Sequence, residues 1–238
     1  MSVYAADVDG DGDMDVLSAI WDDDKVAWYE NDGNQVFTAH TITTSADEIK
    51  SVYAADVDGD GDMDVLSASA NDDKIAWYEN DGNQVFTTHT ITTAANGARS
   101  VYAVDVDGDG DMDVLSAAAY ENKIAWYEND GASDPTFTAH TISTSADGVE
   151  SVYAVDVDGD GDVDVLSASY NDGKIAWYEN DGQANPTFTS HIITTSARGA
   201  RRVYAADIDG DGAIDVLSAS TDDAVSYTHL TLPTILLV

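Results

Sequence analysis

The chain has no cysteine in 238 residues. Disulfides, thiolate metal sites and thiol catalysis are therefore excluded, while the compartment stays open. Positive charge is almost as scarce: 9 Lys and Arg stand against 46 Asp and Glu, a formal charge of −37. Nucleic-acid binding needs clustered cations on the phosphates, and only Arg198, Arg201 and Arg202 lie close together. Nucleic acid is excluded as a partner, and an anionic membrane surface is disfavoured for the same reason. No membrane span and no secretory leader are visible in the sequence, so no membrane insertion is expected.

What the chain has in excess is aspartate, and it is ordered. Five nine-residue stretches follow D-x-D-G-D-G-x-x-D. They carry Asp7, Asp9, Asp11, Asp13 and Asp15; Asp56, Asp58, Asp60, Asp62 and Asp64; Asp105, Asp107, Asp109, Asp111 and Asp113; Asp156, Asp158, Asp160, Asp162 and Asp164; and Asp207, Asp209, Asp211, Ala213 and Asp215. The loops hold 24 of the 46 acidic residues, five in each of four copies and four in the last. Half of the acidity is thus site chemistry rather than an acidic tail. Calcium takes six to eight oxygens at about 2.3–2.6 Å, and alternate carboxylates on a tight loop can converge on one such ion. Gly10 and Gly12 allow the positive φ that the curl needs. In the fifth copy Ala213 stands at position seven, which a main-chain carbonyl ligand tolerates. The expectation is one Ca2+ per loop, up to five, with side chains from positions one, three, five and nine and the backbone at seven.

An EF-hand begins in the same way but closes with a bidentate Glu at position twelve between two helices. Position twelve here is Ser18, Ser67, Ser116, Ser167 or Ser218. The flanks are S/R-V-Y-A before the loop, as in Ser51 to Ala55, and V-L-S-A after it, as in Val65 to Ala68. Both are short β-branched or aromatic runs, so the loop is expected to join two strands.

The loops start 49, 49, 51 and 51 residues apart, at Asp7, Asp56, Asp105, Asp156 and Asp207. Periods of this size indicate propellers or solenoids. Each full unit adds two more strand candidates, K-I/V-A-W-Y-E-N-D-G (Lys25 to Gly33 and its copies) and F-T-x-H-x-I (Phe37 to Ile42 and its copies). Four antiparallel strands make a propeller blade. Val26-Ala27-Trp28-Tyr29 is apolar on both faces, as in a sheet packed between two neighbours, so Trp28, Trp77, Trp126 and Trp177 are expected in inter-blade core. The fold class is all-β, with four full repeats and a partial fifth of an incomplete propeller. The expected blades are about residues 1–48, 49–97, 98–148, 149–199 and 200–224 of a single repeat domain, 1–224.

With these motifs in view, residues 2–224 resemble the FG-GAP or VCBS repeat family, bacterial relatives of the calcium-bearing blades of the integrin α-subunit propeller. The resemblance implies calcium at the first hairpin of each blade, held by the loop aspartates. Family propellers close with about seven blades, and the four and a half repeats here fall short of that.

After Asp223-Ala224 the repeat should continue as Lys-Ile-Ala-Trp-Tyr-Glu-Asn. It reads Val225-Ser226-Tyr227-Thr228-His229 instead. Residues 225–238 resemble a translated sequencing adapter and are expected to be a non-native read-through tail, a divergent C-terminal strand being the alternative.

No enzyme active site is expected. Ser18 and its copies lack the G-x-S-x-G elbow of a nucleophile. His40, His89, His140 and His191 recur once per repeat, as structural strand residues do. Retaining and inverting glycosidases need a carboxyl with a raised pKa, and calcium would keep these aspartates ionised. The least repeated positions, Trp21, Ala70, Ala119 and Tyr170 with Asp22, Asn71, Tyr120 and Asn171 beside them, are where a ligand preference would lie on a fixed scaffold. Exposed loops of this type suit the 10⁻⁴–10⁻³ M calcium range of extracellular modules. The expectation is an exported bacterial structural or adhesive module, extracellular or at the cell surface, with a glycan or a cell-surface protein as ligand. The alternative is an accessory, carbohydrate-binding propeller of a larger polysaccharide-acting hydrolase or lyase.

Overall fold

A computed structural model describes residues 2–222. Residues 225–238, the suspected tail, lie outside the described residues. The strands are β1 (Ser2–Ala6), β2 (Asp15–Ile20), β3 (Lys25–Asn31) and β4 (Phe37–Thr43); β5 (Ile49–Ala55), β6 (Asp64–Ser69), β7 (Lys74–Asn80) and β8 (Phe86–Thr92); β9 (Ala98–Val104), β10 (Asp113–Ala118), β11 (Lys123–Asn129) and β12 (Phe137–Ser143); β13 (Val149–Val155), β14 (Asp164–Ser169), β15 (Lys174–Asn180) and β16 (Phe188–Thr194); and β17 (Ala200–Ala206) with β18 (Asp215–Ser220). One turn of 3-10 helix at Trp21–Asp23 is the only helical element among the described residues. Each set of four forms an antiparallel sheet in sequence order, and among the described residues the last two strands pair with each other alone. Val, Ile and aromatic side chains set these strands because they pack on a pleated surface.

The third strand ends at Asn31 rather than continuing to Gly33. Asp32 turns the chain by accepting the N–H groups of Asn34 and Val36 at 2.8 and 3.1 Å.

The sheets stand side by side as blades. Each first strand touches the next first strand, β1 to β5, β5 to β9, β9 to β13 and β13 to β17. A ladder of tyrosines follows that inner row: Tyr4, Tyr53, Tyr102, Tyr153 and Tyr204 have neighbouring ring centroids 4.4, 4.5, 5.2 and 4.8 Å apart. Burial, with the neighbouring hydroxyls, pushes the Tyr53 phenol well above its ordinary pKa.

The core lies between blades rather than inside one. Trp28 from β3 packs with Ile49, Val52 and Tyr78 of the second sheet. Trp77 packs in the same way with Val101, Val114 and Tyr127 of the third, Trp126 with Val152 and Tyr178 of the fourth, and Trp177 with Val203 and Val216 of the fifth. In the Trp-Tyr pair the tryptophan serves the following blade and the tyrosine the preceding one, as strand alternation requires. The first blade has no predecessor among the described residues, so Val3 is 74% exposed where its counterpart Val52 is 3% exposed. This is an open arc of propeller blades.

The repeated histidines are absorbed by the sheets. His40 stacks on Trp28 at 4.5 Å, and its Nε2 bonds Glu30 at 2.8 Å. His89, His140 and His191 repeat that arrangement on Trp77, Trp126 and Trp177.

Candidate metal centre

Each aspartate loop connects the first and second strands of a blade, as the flanking residues imply. Gly10 and Gly12 take φ of 74° and 98°. Their N–H groups bind the two oxygens of Asp7, at 2.9 and 3.0 Å. Asp9 accepts the Asp11 N–H at 3.3 Å, and Asp11 accepts the Asp13 N–H at 2.8 Å. The carboxylates therefore stitch the loop together before any ion is considered, which lowers the mutual repulsion expected of five bare charges.

Position nine is built differently. Asp15 opens β2, is fully buried, and accepts N–H groups from Val8 at 3.0 Å and Asn31 at 2.7 Å. Asp64, Asp113 and Asp164 repeat this, with donors Val57 and Asn80, Val106 and Asn129, and Val157 and Asn180.

Positions one, three and nine converge. Asp7, Asp9 and Asp15 each offer one oxygen within 4.8 Å of the other two, and so do Asp56, Asp58 and Asp64; Asp105, Asp107 and Asp113; Asp156, Asp158 and Asp164; and Asp207, Asp209 and Asp215. Oxygens held at about 2.4 Å from one calcium can be no more than about 4.8 Å apart, so the donor set fits a hard divalent cation. Position five, Asp11 and its copies, stands outside this trio. The carboxylate of position seven points elsewhere: Asp13, Asp62, Asp111 and Asp162 lie against Gly33, Gly82, Gly131 and Gly182. That close approach accounts for the glycine in every W-Y-E-N-D-G.

Gly82 has φ of 71°, and the Asp62 carboxylate occupies the place of its missing Cβ. Gly82→Ala should therefore destabilise the fold by about 1–2 kcal/mol from the left-handed backbone alone, with the displaced Asp62 adding to it. Urea unfolding of the variant against the parent checks this, and an unchanged midpoint would contradict the packing.

Burial raises the carboxyls at position nine against their backbone donors. Asp64 and Asp113 are pushed up to about 7 and Asp164 to about 6. A carboxyl raised in the fold stabilises it only while protonated, and that stability is lost as pH rises from the ordinary aspartate range through about 7. The exposed Asp32, Asp130 and Asp181 are lowered by hydrogen bonds from their own turns, so what they contribute is present throughout this range and is lost only as pH falls below the ordinary aspartate value. Metal-free protein should hence melt lower at pH 8 than at pH 5.5, and saturating calcium should shrink or reverse that fall. Calorimetry at the two pH values, with and without calcium, measures both signs.

The FG-GAP-like repeat family matches residues 7–67, 56–116, 113–167 and 156–218. The chain belongs to this family. Every matched stretch ends on the serine of V-L-S-A, and three of the four begin on the first aspartate of a loop, so the loop is the family's own landmark in this FG-GAP-like chain. No curated protein matches it in sequence. Among solved structures it is similar to a Lactobacillus plantarum protein at 16% identity and a TM-score of 0.61, covering 97% of this chain and 69% of that one. It is also similar to the V. cholerae biofilm matrix protein Bap1 at 19% identity and 0.52, covering 91% of this chain and 34% of that one. A putative 6-phosphogluconolactonase from Bacteroides uniformis matches at 12% identity and 0.59, covering 96% and 69%. Likenesses this remote show the fold alone. The FG-GAP-like chain spans only about a third of the biofilm protein, and an enzyme stands among its neighbours of fold.

Sequence reasoning missed the asparagine of W-Y-E-N. Asn80, Asn129 and Asn180 are buried beside the loops and bond them directly. Its recurrence was visible, but nothing local distinguished it from a strand end.

Proposed function

We propose that the FG-GAP-like chain is a calcium-stabilised propeller segment of an exported bacterial protein, acting as a structural or adhesive module at the cell surface or beyond it. The observation that carries this reading is the fivefold convergence of three carboxylate oxygens within 4.8 Å at one end of the blades. That end has no Lys or Arg. Lys25, Lys74, Lys123 and Lys174 begin third strands, Lys50, Arg99, Arg201 and Arg202 begin first strands, and Arg198 precedes β17, all at the opposite end from the loops. No built-in cation competes for the carboxylates. The sites' role is electrostatic: the fold aligns the carboxylates, and a bound Ca2+ at each would supply the neutralising charge.

Calcium titration by calorimetry tests this. Asp58→Ala should remove one site from the stoichiometry and leave the others able to bind. A parent that binds no calcium at millimolar concentration would end the reading. No helix among the described residues is long and apolar enough to cross a membrane, which is compatible with export.

The end without loops supports a glycan ligand. Trp21 and Tyr120 are 49% and 63% exposed there. Lys50 lies over Trp21 at 4.3 Å, Arg99 over Tyr120 at 5.5 Å and Arg201 over Tyr170 at 4.7 Å. A cleft of about 450 Å³ opens beside Tyr170, Asn171, Arg198 and Asp222. Exposed rings beside charged hydrogen-bonding groups suit a sugar's apolar face and its hydroxyls. This favours, as a second reading, an accessory carbohydrate-binding propeller of a larger polysaccharide-acting enzyme. A glycan array tests the saccharide ligand, and Trp21→Ala should weaken any saccharide retained; an array that retains none removes the second reading.

A further inference from the structure

We propose that Asn80, Asn129 and Asn180 are positioning residues that couple the metal loops of neighbouring blades, so that the first four loops fill as a linked row and not independently. This rests on the reading of the loops as calcium sites.

One amide touches two loops. Asn80 Nδ2 donates to the Val8 carbonyl of the first loop at 3.0 Å and to the Met63 carbonyl of the second at 3.2 Å. Asn129 joins Val57 of the second loop and Met112 of the third, at 2.8 and 3.0 Å. Asn180 joins Val106 of the third and Val163 of the fourth, at 2.9 and 3.0 Å. The amide orientation follows from its surroundings: the carbonyl sides face backbone N–H groups of Gln84, Gly131 and Gly182 at 3.2, 3.0 and 3.0 Å. All three asparagines are buried. Asn31 in the first blade is the internal control: among the described residues its amide reaches only Met14 of its own loop, at 3.2 Å, and its Oδ1 meets no hydrogen-bond donor.

The same asparagine is tied to the carboxylates. Asp64 accepts the Asn80 backbone N–H at 2.8 Å through one oxygen and the Val57 N–H at 2.9 Å through the other. Val57 in turn offers its carbonyl to Asn129. A continuous path therefore runs from Asp15 through Val8 to Asn80, from Asp64 through Val57 to Asn129, and from Asp113 through Val106 to Asn180. Fixing one position-nine carboxylate fixes residue two of its loop, whose carbonyl orients the next blade's amide against the next loop. In a buried network, each member strengthens its neighbours.

The test is a cycle of calcium titrations on the whole chain with the parent, Asp9→Ala, Asn80→Ala and the double variant. In the parent background, Asp9→Ala should remove the first site and also weaken the second, to which Asn80 joins it, by about fivefold or more, the lower range of site coupling. In the Asn80→Ala background that second effect should vanish. Equal effects in both backgrounds, or none in the parent, overturn the coupling alone. Absence of calcium binding by the parent overturns the calcium reading and the coupling with it. If Asn80→Ala does not fold, Asn129→Ser paired with Asp58→Ala runs the same cycle one blade along. A packing role would lower the melts of metal-free and calcium-loaded protein equally; the coupling requires the larger drop in calcium. Asn31→Ala breaks no bond between two loops and should leave the coupling of the first site to the second intact.

Discussion

Stripped of divalent cations, the protein should melt roughly 14–28 °C below its temperature in calcium at ten times the dissociation constant. Each filled site adds RT ln(1 + [Ca]/Kd), about 1.4 kcal/mol at that excess. Five converging clusters sum to about 7 kcal/mol, and a chain of this size shifts by about 2–4 °C per kcal/mol. The sites are well placed to act on the global fold. The position-nine aspartates cap the third strand of their own blades, and the asparagines bonded to them hold the preceding loop. Release of ions bound there should therefore loosen blade interfaces as well as surface loops. Calorimetry in excess EGTA against 10 mM calcium measures the difference, with magnesium as the control for charge screening. An identical melt in both would refute the stabilising role of the loops.

Trp77→Ala should destabilise the protein by about 3–5 kcal/mol, the range for removing a large aromatic from a core, or roughly 6–20 °C in the melt. Trp77 is buried, stacked on His89 at 4.3 Å, and reaches across to Val101, Val114 and Tyr127 of the third blade. Its loss opens a cavity at the centre of the apolar cluster that the two sheets share. Trp21→Ala supplies the contrast. That ring is 49% exposed beneath Lys50, and its removal should cost about 1 kcal/mol or less, the worth of an exposed cation–aromatic pair. Chemical denaturation of the two variants decides, and similar losses would mean that the blades are not joined through the tryptophans.

The two variants also show what could be read before the structure. Trp28 and Trp77 were assigned to inter-blade core because the residues around them are apolar on both faces of a strand, a local pattern with one structural meaning. Trp21 stood out only as an unrepeated position. That it lies under Lys50 from the following blade depends on how two sheets meet. The loops divide along the same line. That Asp7, Asp9 and Asp15 carry acid groups is a matter of sequence; that their oxygens converge while Asp13 turns to Gly33 depends on backbone angles and on the place where β4 begins.

The sequence by itself determined the repeat, the four strands of each blade, the hairpin nature of the aspartate loops and their suitability for a hard cation. Each of these follows from periodicity or from residues within nine positions of one another. Only the tertiary structure decided which three carboxylates meet, that the inner strands carry a ladder of tyrosines, and that Asn80 bonds Val8 across a separation of 72 residues. Such contacts are set by the packing of one blade on the next. Between the repeats nothing local in the chain encodes the angle and distance at which two twisted sheets come together, and the bonds that span them follow from that packing.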